Sequence, residues 1–222
     1  MRLGVKKKLK KTALDAMMKS PSFEIISNYI QIQQIYESGI KEIKTKLEIL
    51  DSEFKIKYDH NPIHHIESRL KKPDSIAKKL IEKDLDVTYD NIVDNIRDIA
   101  GIRVICNYVE DVYVVARLLT NQDDIKLIQQ KDYIQNPKPS GYRSLHLVLE
   151  IPIFLAEGPK PICVEVQIRT IAMDFWASLE HKLKYKTKNK VPDDIKEELK
   201  ECAISISELD ERMQNIYNRL NK

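Results

Sequence analysis

Apolar residues recur at steps of three and four over two long stretches of the chain. Between residues 22 and 50, Ile25, Tyr29, Ile32, Tyr36, Ile40, Ile43, Leu47 and Leu50 form one stripe, which predicts a long amphipathic helix. Ser22, after Pro21, is the predicted N-cap. Near the other end, Pro192 and Asp193 open a second run, in which Ile195, Leu199, Cys202, Ile206, Leu209, Met213, Ile216 and Leu220 alternate steps of four and three. That is a period of 3.5, the pattern of a seam that pairs helices. The same stripe could instead pack on its own domain, against the helix at 22–50.

The middle of the chain mixes both periods. A helix is predicted to start after Asn61-Pro62 and to run to about Lys83, with Pro73 kinking or splitting it. Strands are predicted at 102–108, 125–133, 144–151 and 162–169, with helices at about 110–120 and 171–184. Strands and helices interleave, so the fold class is α/β: a mixed sheet flanked by helices, with long helices at both termini. The predicted organisation is a basic tail at 1–21, a catalytic domain at 22–191 and an oligomerisation helix at 192–222. Trp176 and Phe175 read as core residues of the 171–184 helix.

Composition narrows the class. The chain has 222 residues with 42% hydrophobic and 32% charged, enough for one domain with a core. No apolar run approaches the length of a membrane span. The opening MRLGVKKKLKKT is basic but has no apolar stretch behind it, so it does not read as a secretory signal. A net charge of +3 is too small to argue for general nucleic-acid binding. Cys106, Cys163 and Cys202 are isolated and sit in apolar patterns, which suggests small buried hydrophobes in a reducing cytoplasm. His60, His64 and His65 have metal-like spacing without a completing ligand, and a structural role is favoured over a ligand role.

Three clusters carry candidate chemistry. In RDIAGIRV (97–104), Asp98 stands at the mouth of a strand; in VEVQIRT (164–170), Glu165 lies on the face opposite Val164, Val166 and Ile168. Two strand-borne acids could chelate Mg²⁺, which takes carboxylates together with substrate phosphate oxygens. A basic run holds Arg69, Lys71, Lys72, Ser75, Lys78 and Lys79, read as part of one helical stretch. A third cluster, KDYIQNPKPSGYRSLH (131–146), in which Pro-Lys-Pro-Ser-Gly is a loop, offers Lys131, Lys138, Arg143 and His146 as phosphate partners and Tyr142 as a stacking ring.

In that order, Arg-x-Lys, DIAGIR, KDYIxxPKxxGYRSLH and VEVQIRTIAMDFWASLEHKLKYK resemble the synthetase domain of the RelA/SpoT family, and the compact chain looks like its small alarmone synthetases. The resemblance covers roughly residues 30–220. It implies a nucleotidyltransferase-like sheet and a site for two nucleotides. Arg69 and Arg103 match the arginines that sandwich adenine, and Lys71, Ser75 and Lys79 match contacts to the ATP phosphates. Asp98 and Glu165 match the Mg²⁺ ligands. Tyr142 matches the ring that stacks on guanine, and Lys131, Lys138, His146 and Gln167 match acceptor contacts. The implied reaction moves pyrophosphate from ATP to the 3′-hydroxyl of GDP or GTP, with Glu165 as candidate general base. The two apolar stripes predict a cytoplasmic homo-oligomer built from the terminal helices, and the resemblance favours a homotetramer. The chain departs from some relatives at Lys131, Asp174 and Glu82-Lys83, which bears on acceptor choice and ATP affinity. No His-Asp dipeptide occurs, so the hydrolase of bifunctional relatives is not expected. The alternatives are a pyrophosphokinase acting on the 3′ end of tRNA and a silent nucleotide- or RNA-binding module.

Overall fold

The computed structural model describes residues 21–186 and 191–221. The basic tail expected over 1–21 lies outside these, apart from Pro21. In chain order the elements are α1 (Pro21–Lys57), β1 (Ile63–Leu70), α2 (Pro73–Ile81), α3 (Tyr89–Asn95), β2 (Ala100–Cys106) and α4 (Val109–Thr120). They continue as β3 (Lys126–Asp132), β4 (Leu145–Leu155), β5 (Gly158–Thr170), α5 (Ile171–Lys186) and α6 (Asp193–Leu220). The strands form one sheet in the order β1-β2-β5-β4-β3. β2 and β5 run parallel and the other pairs antiparallel, so the sheet is mixed, as the alternation of elements predicts.

One face of the sheet is apolar. Ile102 and Val104 of β2, Val164, Val166 and Ile168 of β5, and Leu145, Leu147 and Leu149 of β4 are buried there beneath α1 and α4. The α1 stripe supplies Ile32, Tyr36, Ile40, Ile43 and Leu47 to this core. Ile43 and Leu47 are fully buried, each worth about 1.5–3 kcal/mol relative to exposure. The helix is already present at Pro21, so Ser22 lies inside it and not at its cap.

The helix expected over 62–83 is corrected: residues 63–70 are an edge strand and only 73–81 are helical. The cause is a bulge. The register with β2 shifts between Ile63 and His65, so His64 is an extra residue. Ile63 and Ile66 then both face the core although they are three apart, which imitates a helical step. Pro73 opens α2 at its first turn instead of kinking a longer helix.

The first histidine of the HNPIHH run clasps two helices together. His60 Nε2 lies 2.8 and 3.0 Å from the two Asp111 carboxylate oxygens. Asp111 also accepts the Tyr108 backbone N–H at the start of α4. The His60 ring packs against Tyr217 of α6 at 4.8 Å, and Tyr108 stacks on Tyr217 at 4.4 Å. Of the cysteines, Cys106 is buried and Cys163 half-buried, but Cys202 is exposed, contrary to the apolar reading of its surroundings. Trp176 is buried as expected; Phe175, one residue earlier on the helix, points to solvent.

α6 docks on the body of the protein by Leu199, Ala203, Ile206, Asp210 and Gln214. This line only partly coincides with the seam read from the sequence. Leu209 is 54% exposed and Leu220 80%, and Met213 and Ile216 are also exposed.

Candidate active site

The second face of the sheet is polar, and its register lines up two rows across all five strands. One row runs Arg69, Gly101, Glu165, Val148, Gln129; the next runs Glu67, Arg103, Gln167, His146, Lys131. On β2, β5 and β4 alternation causes this: Arg103, Glu165, Gln167 and His146 each sit one position from a buried apolar neighbour on the same strand. Arg69 therefore belongs to β1, not to the helix that carries Ser75 and Lys79.

Arg69 and Arg103 stand diagonally across Gly101. Because Gly101 has no side chain, a slot of about 50 Å³ opens between them, lined also by Glu67, Ser68, Ile102, Glu165 and Gln167. Arg103 is held by Glu67 at 3.2 Å and Asp174 at 3.3 Å, and its Nε is buried without a partner. Beside the slot lies an open groove of about 430 Å³, whose walls carry Lys79, Lys83, Arg97 and Lys131 as cations and Asp94, Asp98 and Glu165 as acids. Glu165 lines both spaces.

Asp98 sits in the turn before β2. Lys71 Nζ donates to its Oδ2 at 2.9 Å, and Lys79 Nζ lies 2.9 Å from Oδ1. That second contact is an ion pair without hydrogen-bond alignment, so Oδ1 is a buried acceptor left unsatisfied. Burial acts to raise the Asp98 pKa, but the Lys71 hydrogen bond and the adjacent charges of Lys71 and Lys79 outweigh it and hold the carboxyl below its ordinary value. Glu165 is alike: burial raises its pKa, while His146 and Gln167 bring it below the usual range. The charge of Asp98 also reaches Glu165, so the two acids feel each other. Two ionised carboxylates, one with an unsatisfied oxygen, fit a hard divalent cation that completes its shell with phosphate oxygens and water. Among the described residues no group of three or more His, Cys, Asp or Glu could hold a metal without such help.

From Glu165 a closed circuit of side chains reaches Tyr142. Gln167 donates to Glu165 at 2.9 Å, and buried Arg169 donates to Gln167 at 2.8 Å and to the Tyr142 hydroxyl at 2.6 Å. The Tyr142 hydroxyl, which accepts from Arg169, is also hydrogen-bonded to His146 Nε2, 2.7 Å away. The other ring nitrogen, Nδ1, lies 3.6 Å from Glu165. Lys138 lies over the Tyr142 ring at 4.7 Å and over Tyr133 at 4.6 Å. Thus Lys71, Lys79, Asp98, Arg69, Arg103, Glu165, Gln167, His146, Tyr142, Lys138 and Lys131 gather on one face. Ser75 is exposed in the first turn of α2 and lines neither the slot nor the groove.

The sequence reading gave Arg169 and Asp174 no role in the site. Arg169 follows Glu165 and Gln167 at the strand period, a legible signal. Asp174, which pairs with both Arg169 and Arg103, depends on the turn from β5 into α5 and had none.

Residues 68–190 match the family described as a region found in RelA / SpoT proteins. The chain belongs to the RelA/SpoT family. Among curated RelA/SpoT relatives it is 45% identical over 187 residues to the GTP pyrophosphokinase YwaC of Bacillus subtilis, covering 84% of this chain and 89% of that protein. It is 37% identical to the GTP pyrophosphokinase YjbM of the same organism over 84% of this chain and 87% of that one. Among solved structures, small alarmone synthetase 1 of Bacillus subtilis bound to its product pppGpp superposes with a TM-score of 0.83 at 35% identity, covering 88% of this chain and 100% of that chain. The mixed sheet and its helices are thus the fold of the RelA/SpoT small alarmone synthetases.

Proposed function

We propose that the chain is a GTP pyrophosphokinase that moves the β,γ-pyrophosphoryl group of ATP to the ribose 3′-hydroxyl of GDP or GTP, releasing AMP and the alarmones of the stringent response. The observation that carries this reading is the junction at Glu165. A two-arginine slot suited to a base, a cationic groove suited to polyphosphate, and an aromatic ring wired through His146 all meet at one carboxylate.

In this reading Arg69 and Arg103 flank adenine, and Lys71 and Lys79, beside Asp98, hold the ATP phosphates, while Ser75 stands outside both spaces. Tyr142 carries guanine, with Lys131, Lys138, His146 and Gln167 around the acceptor. Asp98 and Glu165 are the residues that would hold Mg²⁺, which when bound neutralises charge on the polyphosphate and on the departing AMP. Pyrophosphoryl transfer needs alignment and charge neutralisation above all, and the lysines of the groove supply both. Glu165 accepts the proton lost by the attacking 3′-hydroxyl, directly or through a water. Its lowered pKa makes it a weak base, so its larger contribution is the fixed negative charge.

No described helix is long and apolar enough to cross a membrane, and we place the reaction in the cytoplasm, where its nucleotides are. The protein works as a homotetramer that buries the apolar residues α6 leaves exposed, together with Ile171, Phe175 and Leu179 of α5. The α1 stripe takes little part, being spent on the protein's own core. The test of the activity is an acceptor panel. Purified protein with γ-labelled ATP and Mg²⁺ is offered GDP, GTP, GMP or tRNA in turn. Label on GDP or GTP is expected; label on tRNA alone, or on nothing, overturns the proposal.

A further inference from the structure

α6 touches the acceptor side of the site at two points. The loop that carries Tyr142 lies directly on the helix at Ala203. Gly141 has φ +87°, a conformation that suits glycine, and a Cβ built on it would fall onto the Ala203 methyl, with the Lys200 backbone at 3.6 Å. Tyr142, the next residue, packs in a small cluster with Trp176, Ala177, Ala203, Leu199 and Ile206. Trp176 Nε1 donates to the Leu199 carbonyl of α6 at 2.8 Å.

The second point is at the end of β5. The Thr170 hydroxyl donates to Asp210 of α6 at 2.6 Å and accepts the Met173 N–H at 3.1 Å. The preceding residue, Arg169, is the one that holds the Tyr142 hydroxyl. One helix thus braces Tyr142 from its backbone side and braces the strand that grips its tip.

We infer that Ala203 is a positioning residue for the acceptor: its methyl sets the height of the Gly141 backbone and so the plane of the Tyr142 ring. The inference rests on the pyrophosphokinase reading, in which Tyr142 carries guanine. Ala203 touches no substrate, and its effect must pass through Tyr142.

The test is Ala203→Leu in the full chain, with steady-state kinetics for both substrates and the emission of Trp176, the single tryptophan. The KM for GDP should rise at least tenfold, the KM for ATP should stay within twofold, and the emission should shift as the Trp176–Leu199 contact is disturbed. On a Tyr142→Ala background the same substitution should add less than twofold. A GDP KM within twofold of wild type overturns the inference, as does an equal rise on the Tyr142→Ala background. Should the leucine variant not fold, Ala203→Gly removes the support instead and should raise the GDP KM two- to fivefold; an unchanged value overturns the inference. A wild type that makes no guanosine product is a different failure, that of the pyrophosphokinase reading itself.

Discussion

Gly101→Ala separates fold from function at a single methyl group. Gly101 sits in β2 with a backbone any residue adopts, and a Cβ there would meet Arg69 Cγ at 3.4 Å and its Nε at 3.6 Å, ordinary van der Waals contacts. The fold should therefore accept alanine. Replacing glycine at a compatible position stabilises by about 0.4–1 kcal/mol through the unfolded chain. At about 2–4 °C per kcal/mol for a domain of this size, Tm should rise by about 1–4 °C. The methyl, however, stands on the floor of the slot between Arg69 and Arg103. Losing the stacking of one base costs about 1–3 kcal/mol, which at 1.4 kcal/mol per tenfold is a rise of about 5- to 140-fold in the KM for ATP. The KM for GDP should not move by more than twofold. AMP release measured against ATP at saturating GDP gives the first number and a thermal melt the second. An ATP KM within twofold of wild type would refute the slot as the adenine site, and a rise confined to GDP would assign it to the other nucleotide.

Other expectations follow from the same geometry. Asp98→Asn and Glu165→Gln should each leave a folded protein with turnover reduced about 10²–10³-fold, the scale for removing one group that stabilises a charged transition state; near wild-type turnover at saturating Mg²⁺ would remove that acid from the site. Tyr142→Ala should weaken acceptor binding by about 1–3 kcal/mol, seen in the KM for GDP, and a rise for ATP alone would contradict the assignment. Leu209→Asp should reduce the mass found by light scattering, while a wild type of 25.9 kDa at micromolar concentration would sink the assembly. Burial raises the Asp210 pKa, countered only in part by Thr170 and Arg143, so the folded chain holds that proton more tightly than the unfolded one. The ionised carboxylate therefore costs stability above its folded pKa, and the cost fades as pH falls toward the unfolded value of about 3.9. Asp210→Asn should raise Tm at pH 8 and leave it unchanged near pH 4, as thermal melts at the two pH values would show; the opposite order would mean that its charge stabilises α6.

The polar face was legible because strand alternation is strict: once Val164, Val166 and Ile168 are taken as core, Glu165, Gln167 and Arg169 must share the other side. The same logic failed at β1, where one bulge residue, His64, turned a strand into an apparent helix and moved Arg69 to a different element. The C-terminal helix was found by its period, but its docking face was not, because three of the residues that seat it, Ala203, Asp210 and Gln214, are small or polar and carry no hydrophobic signal. Asp210 is seated by a hydrogen bond to Thr170 and Ala203 by contact with a glycine, and neither partnership has a spacing to read. For His60 the sequence favoured a structural role, but its partner, Asp111, lies 51 residues away and no spacing could name it.

The most direct test of the central claim is a ³¹P NMR time course of the wild-type protein with ATP, GDP and Mg²⁺. Transfer of pyrophosphate to a 3′-hydroxyl predicts AMP and a guanosine carrying a second diphosphate, growing in equal amounts, with no ADP and no orthophosphate. Appearance of ADP or orthophosphate in place of that pair would show phosphoryl transfer or hydrolysis and would contradict the account.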